Sequence, residues 1–156
     1  MNKLRQNLFT KKSWGSEIVW SLTDNYMAKT IEINEGCRTP LIVHKEKEKS
    51  IIVIHGELFL TYGDGYDIEK ASNYKLPVGW SWYIEPVNLY SYASLKGVVR
   101  IVEVSSPQLE EGITLMDEDG VKFEVTSLKE EVIEEKIKKS KLAKLKEKEY
   151  MKYDRS

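Results

Sequence analysis

The chain has 156 residues, 41% of them hydrophobic and 31% charged, which is enough for one compact domain to bury a core without disulfide or metal staples. Twenty-four basic residues against 25 acidic ones leave a net charge of -1, too balanced to point to nucleic acid as a partner. No apolar run approaches the ~18 residues that cross a bilayer. The single Cys37 rules out an internal disulfide and a multi-cysteine zinc site. The opening MNKLRQNLFTKK lacks an apolar signal region, so a cytoplasmic location with no membrane partner is expected.

In chain order, the first half reads as strands. Tyr26 to Ile33 alternates, with Met27, Ile31 and Ile33 on one face and Lys29 on that same mostly apolar face. Gly36 breaks the pattern, and Pro40 to Val43 opens a short strand that ends at His44. Lys45 to Ser50 reads as a charged turn. Ile51 to Ile54 is continuously β-branched or aliphatic, as in a strand buried on both faces, and Gly56 ends it. Leu58 to Tyr62 is followed by Gly63-Asp64-Gly65, a hairpin signal, and Trp80 to Ile84, Leu89 to Ala93 and Gly97 to Val104 supply further strands. Short strands at this spacing indicate a sandwich or small barrel.

The period then changes. Ser127-Leu128-Lys129-Glu130 can form a capping box, and Leu128, Val132, Ile133, Ile137, Leu142 and Leu145 draw a thin apolar stripe. A helix is predicted from about 127 to 150. Lys and Arg outnumber Asp and Glu from Ser127 onward, so the preceding body is acidic. The organisation predicted is a β domain over 1–126 and a charged helical tail over 127–156.

Several pieces in order carry a resemblance: Lys12-Ser13-Trp14-Gly15-Ser16-Glu17, the strand from Tyr26, Gly36 with His44 and Gly56, Trp80 to Ser94, and Ile101 to Pro107. Over roughly residues 12 to 120 the chain resembles a cupin. More narrowly, it is similar to the module related to type II mannose-6-phosphate isomerase that is fused behind mannose-1-phosphate guanylyltransferases. That module opens with a Pro-Trp-Gly, where Ser13 here replaces the proline. Leu109-Glu110-Glu111 and Asp117 to Gly120 are similar to its acidic closing segment. The resemblance implies an all-β, cupin-type double-stranded β-helix, or jelly-roll barrel, to which the C-terminal α-helix is appended. It also implies a homodimer, and a sugar phosphate or nucleotide sugar as ligand.

A metal-binding cupin converges several imidazoles and a carboxylate on one cation. By the resemblance, those four positions fall here on Ile42, His44, Lys49 and Tyr90, with Glu48 one residue from the carboxylate position. One ligand type of four survives, so neither a metal nor another cofactor is expected. The arginine that the resemblance implies in the closing segment is replaced by Thr114. Aldose-ketose isomerisation needs a base and an electrophile that holds the developing enediolate. Without a metal, Lys49 is the candidate electrostatic group, and His44 or Glu103 the candidate base. Trp82, Tyr90 and Tyr92 are candidate sugar-binding residues, because aromatic faces stack on sugar C–H faces and phenols bond hydroxyls. Phe59, Tyr62, Trp80 and Tyr83 belong to the same aromatic group, and Lys29 is a candidate phosphate contact. Each has a plainer reading: His44 as a strand-end histidine, Lys49 as a solvated turn charge, Lys29 as an edge lysine, Glu103 as one half of a salt bridge, the aromatics as core or dimer interface. Three functions stay open: a sugar-phosphate or nucleotide-sugar enzyme, a non-catalytic carbohydrate-binding or protein-interaction cupin, and an assembly protein working through its helix.

Overall fold

The computed structural model describes residues 7–108 and 112–122; the predicted helix at 127–150, the 126/127 boundary and Leu109 to Glu111 lie outside them. Eleven strands follow one another: β1 (Leu8–Lys12), β2 (Gly15–Leu22), β3 (Met27–Ile33), β4 (Leu41–Val43), β5 (Lys49–His55), β6 (Leu58–Asp64), β7 (Ser72–Leu76), β8 (Ser81–Ile84), β9 (Asn88–Ala93), β10 (Val99–Ser105) and β11 (Ile113–Met116). One short 3-10 turn, Ile68–Lys70, is capped by the Asp67 carboxylate.

The strands form two antiparallel sheets, β1-β2-β3-β10-β5-β8 and β11-β4-β9-β6-β7. Sequence neighbours repeatedly land in different sheets, so the chain winds back and forth between them as in a jelly roll. Side chains alternate across each strand, and the inward sets meet in one core: Ile31, Ile33, Val53, Val99 and Ile101 from the first sheet, Leu58, Leu60, Leu76, Tyr90 and Tyr92 from the second. A second cluster, Leu41, Val43, Leu89, Leu115 and Met116, lies on the opposite face of the second sheet and is covered by Tyr66, Ile68 and Ala71. Strand β9 is therefore buried on both faces.

The expected strands form, within a residue or two of their predicted ends for most and with larger corrections elsewhere. Ile51 to Ile54 is not buried on both faces: Ile51 and Val53 are buried while Ile52 and Ile54 face solvent, because β5 has a core on one side only. The charged turn ends early, since Lys49 and Ser50 already belong to β5 and both Lys47 and Lys49 are buried. Gly65 does turn the chain with φ +64°, but β6 runs on to Asp64 and the return strand β7 starts only at Ser72. Four strands, β1, β2, β7 and β11, are additions. β1 and β7 are largely exposed and β2 is mostly half-buried, none of the three has a clean apolar alternation, and β11 is only four residues long.

Candidate functional site

Three neighbouring strands of the first sheet place charges on its inner face. Lys29 of β3 is directly opposite Glu103 of β10, and Lys49 opens β5 one pleat further along. Strand β9 of the facing sheet contributes Tyr90 and Tyr92, and His44 follows β4. Glu103 is 1% exposed and Lys49 3%, so neither charge could stay there unpaired.

They are paired closely. Lys49 Nζ donates to Glu103 Oε1 at 2.9 Å and to Tyr90 Oη at 2.7 Å. Tyr92 donates its hydroxyl proton to Glu103 Oε2 at 2.8 Å. Lys29 Nζ lies 3.7 Å from Glu103 Oε1 and 3.4 Å from Glu17 Oε1 of β2. His44 Nε2 lies 3.0 Å from Tyr90 Oη, with the two rings stacked at 23°. Tyr90 Oη accepts from Lys49, which has only donors, and the imidazole tautomer sets the direction of its bond to His44.

The protonation states follow. Burial pushes the Glu103 carboxyl up, but the ammonium groups of Lys49 and Lys29 and two hydrogen bonds overcome that and bring it down to about 2. Burial disfavours the Lys49 ammonium, yet the Glu103 charge and the Tyr90 contact hold its pKa above the ordinary lysine range. Burial, opposed by Lys49, pushes Tyr90 up to about 12, and burial with the Glu103 charge pushes Tyr92 well above the usual phenol range. At neutral pH the cluster holds Lys49 charged, Glu103 ionised and both tyrosines neutral. Glu103 is a weak proton acceptor there.

These side chains line a cavity of about 720 Å³, together with Lys11, Lys12, Ser13, Trp14, Glu17, Thr39, Ile42, Lys47, Thr114 and Glu118. Among the described residues that line it are five lysines and three glutamates. At its mouth the Ser13 hydroxyl donates to Glu118 Oε1 at 2.9 Å, joining the β1–β2 turn to the turn after β11. Two backbone features set His44. The Val87 amide donates to the His44 carbonyl at 2.7 Å, from a fully buried valine held at φ +64°. Gly112 lies so close that a Cβ there would come within 2.9 Å of the imidazole.

His44, Lys49, Glu103, Tyr90, Tyr92 and Lys29 are thus brought to one cavity, whereas Trp82 does not line it. Trp82 sits on the edge strand β8 and packs its ring on Tyr62 and Tyr74 of the other sheet, with centroids 5.4 and 4.6 Å apart. Phe59, Trp80 and Tyr83 are also absent from the lining, and the Tyr83 hydroxyl donates to Glu48 at 2.6 Å. Lys29 is half-buried between two carboxylates and is not an exposed edge lysine. Glu17 and Lys47 were missed by the sequence reading. Glu17 lies in a strand with little apolar alternation, and Lys47 is one of three alternating lysines with no feature to single it out.

The residues do not fit a divalent metal. The four positions assigned by resemblance present a hydrocarbon, one imidazole, an ammonium and a phenol that stays protonated at neutral pH. Among the described residues, no group of three or more His, Cys, Asp or Glu is placed to hold an ion. Nor is any helix among them long and apolar enough to cross a membrane.

No protein-family model and no curated protein sequence matches the chain. Solved structures do match in shape. The capsular polysaccharide assembling protein CapF from Staphylococcus aureus is 13% identical with a TM-score of 0.61, over 68% of this chain and 32% of that one. KdgF from Halomonas sp. is 12% identical with a TM-score of 0.56, over 69% of this chain and 93% of its own. A deletion mutant of Bacillus subtilis oxalate decarboxylase is 16% identical with a TM-score of 0.61, over 70% of this chain and 30% of that one. The chain therefore spans about a third of the CapF and oxalate decarboxylase chains and nearly the whole of KdgF. All three are cupins, and the two antiparallel sheets described above have the cupin fold.

Proposed function

We propose that the barrel binds or acts on an anionic sugar derivative, a sugar phosphate or nucleotide sugar, without a metal. The observation that carries this reading is the cavity of about 720 Å³, lined among the described residues by five lysines and three glutamates. A low-dielectric cleft with excess positive charge favours a ligand that brings negative charge. Lys11 and Lys12, exposed on β1, suit a phosphate, while Tyr90, Tyr92 and His44 line the cavity as aromatic, polar contacts for a sugar. That CapF is described as a polysaccharide-assembling protein is in keeping with a sugar ligand.

If the chain isomerises its ligand as mannose-6-phosphate isomerases do, His44 is the base and Lys49 the electrophile. Glu103, ionised and bonded to Lys49, keeps that ammonium charged and in place. The alternative is a cupin that binds without chemistry, as a carbohydrate-binding or interaction module. A homodimer is part of this proposal, supported by the outer face of β5 and β10, where Ile52, Ile54 and Val104 are 42%, 46% and 43% exposed. Sedimentation equilibrium at micromolar concentration reads the dimer directly.

Calorimetric titration with mannose 6-phosphate, fructose 6-phosphate, GDP-mannose and neutral mannose tests the ligand class. At least one anionic sugar should bind about tenfold or more tighter than mannose, and more weakly at high salt. Equal binding of mannose, or no binding by any of the four, would defeat the reading. Proton NMR of the same mixtures separates isomerisation from binding alone.

A further inference from the structure

Three of the four positions that the resemblance assigns to metal ligands meet around one atom. Tyr90 Oη lies 2.7 Å from Lys49 Nζ and 3.0 Å from His44 Nε2, and Ile42 lines the same cavity. The convergence that a metal site requires is present, but the group bound there is an ammonium.

We propose that the Lys49 ammonium takes the place of the divalent cation, barring a metal from the barrel floor and offering its remaining N–H to an oxyanion or carbonyl oxygen of the ligand. Three observations support this. The charges already balance, with Lys49 and Lys29 against Glu103 and Glu17, so a divalent ion would add uncompensated charge beside two ammonium groups. Both Glu103 oxygens are engaged, Oε1 by the two lysines and Oε2 by Tyr92, which leaves that carboxylate unsuited to an incoming metal. An ammonium carries three donors, and among the described residues Lys49 uses two of them. As a cation it can do what a metal does electrostatically, hold a developing oxyanion, but with one charge and with no coordination change. The barring of metal is independent of the ligand class proposed above; the donation to ligand oxygen rests on it.

Equilibrium dialysis against zinc and against manganese, with bound metal measured per chain, tests the first part. The wild-type chain should retain far less than one equivalent. Lys49→Glu, which removes the ammonium and adds a carboxylate beside His44, should retain about one, and lose it again when His44→Ala is added. Lys49→Gln is the gentler variant should Lys49→Glu fail to fold by circular dichroism, with zinc affinity expected to rise about tenfold over wild type. One equivalent bound by the wild type, or no gain in a folded Lys49 variant, would overturn the substitution.

Titration with inorganic phosphate tests the second part. Its affinity should be indifferent to EDTA and fall about tenfold in Lys49→Gln; equal affinity in both proteins would refute the donor role. Failure of all four sugar ligands with the metal pattern intact would sink the sugar reading and leave the barring of metal standing.

Discussion

Two ends of one sheet face behave in opposite ways. On the inner face of the first sheet, Ile31, Ile101 and Val53 sit side by side on β3, β10 and β5, all at most 2% exposed. Two residues along the same strands, Ile31 gives way to Lys29 and Ile101 to Glu103; on β5 the face runs from Val53 through Ile51 to Lys49. The backbone pairing continues unchanged through the switch. Alternation alone thus builds either a core or a charged cavity, and the side-chain chemistry decides which. The apolar end is stabilised by removing surface from water. The ionic end holds only while each charge has its partner, since burial there is unfavourable for every charge taken singly.

Breaking the ionic end should have the largest effect. Lys49→Met takes from the buried Glu103 carboxylate its closest cation and is expected to cost about 4 kcal/mol in urea unfolding at neutral pH. Adding Glu103→Leu should recover most of that loss, whereas an additive double mutant would mean the two charges do not act as a pair. At the apolar end, Ile101→Ala removes a fully buried side chain and should cost about 3 kcal/mol. Unlike the first change, this loss should not vary with pH.

Acid sharpens the contrast. Glu103 titrates at about 2 in the folded chain against an ordinary 4.5, so its contribution to stability is complete above about pH 4.5 and is lost as pH falls towards 2. The loss should be on the order of 3 kcal/mol, seen as a falling unfolding free energy in the wild type and a flatter profile in Glu103→Gln. A parallel fall in both would assign the acid sensitivity to other carboxylates.

Smaller effects are expected away from the pair. Gly112→Ala places a Cβ 2.6 Å from Ile42 Cγ2 and forces a residue with a side chain to φ +80°, so about 1–2 kcal/mol of stability and some order of the imidazole should go. Thermal melting gives the first, and histidine NMR linewidths the second. Arg100→Ala breaks the ion pair from Arg100 Nε to Glu32 Oε2 at 2.8 Å, in which both side chains are more than a third exposed. It should cost under about 1 kcal/mol and lose even that in high salt.

Much of the barrel could be read in the residues. Strands with one buried face announce themselves by period two, as Met27 to Ile33 does, and there the reading already put Lys29 on the apolar face. The same parity joins Lys49 to Ile51 and Val53, and Glu103 to Val99 and Ile101, so the inward direction of both charges was present in the pattern. For Lys49 it was masked by the run Lys45-Glu46-Lys47-Glu48-Lys49, which is equally the composition of a solvated turn. Trp82 shows the opposite case. It shares a register row with Ile51, next to Glu103, yet its place on the edge strand turns it towards Tyr62 and Tyr74.

What the residues alone determine is local: strand periodicity, the glycine turns, and the side chain that stands at each of positions 42, 44, 49 and 90. These depend on near neighbours in sequence or on the identity of a side chain. Only the tertiary structure decided that Lys49, Glu103, Tyr90, Tyr92 and Lys29 are mutual partners. Glu103 is 54 residues from Lys49, and Tyr90 is 41. Whether a buried charge is tolerated depends on those distant partners being within bonding distance, and only the folding of two sheets onto one another brings them there.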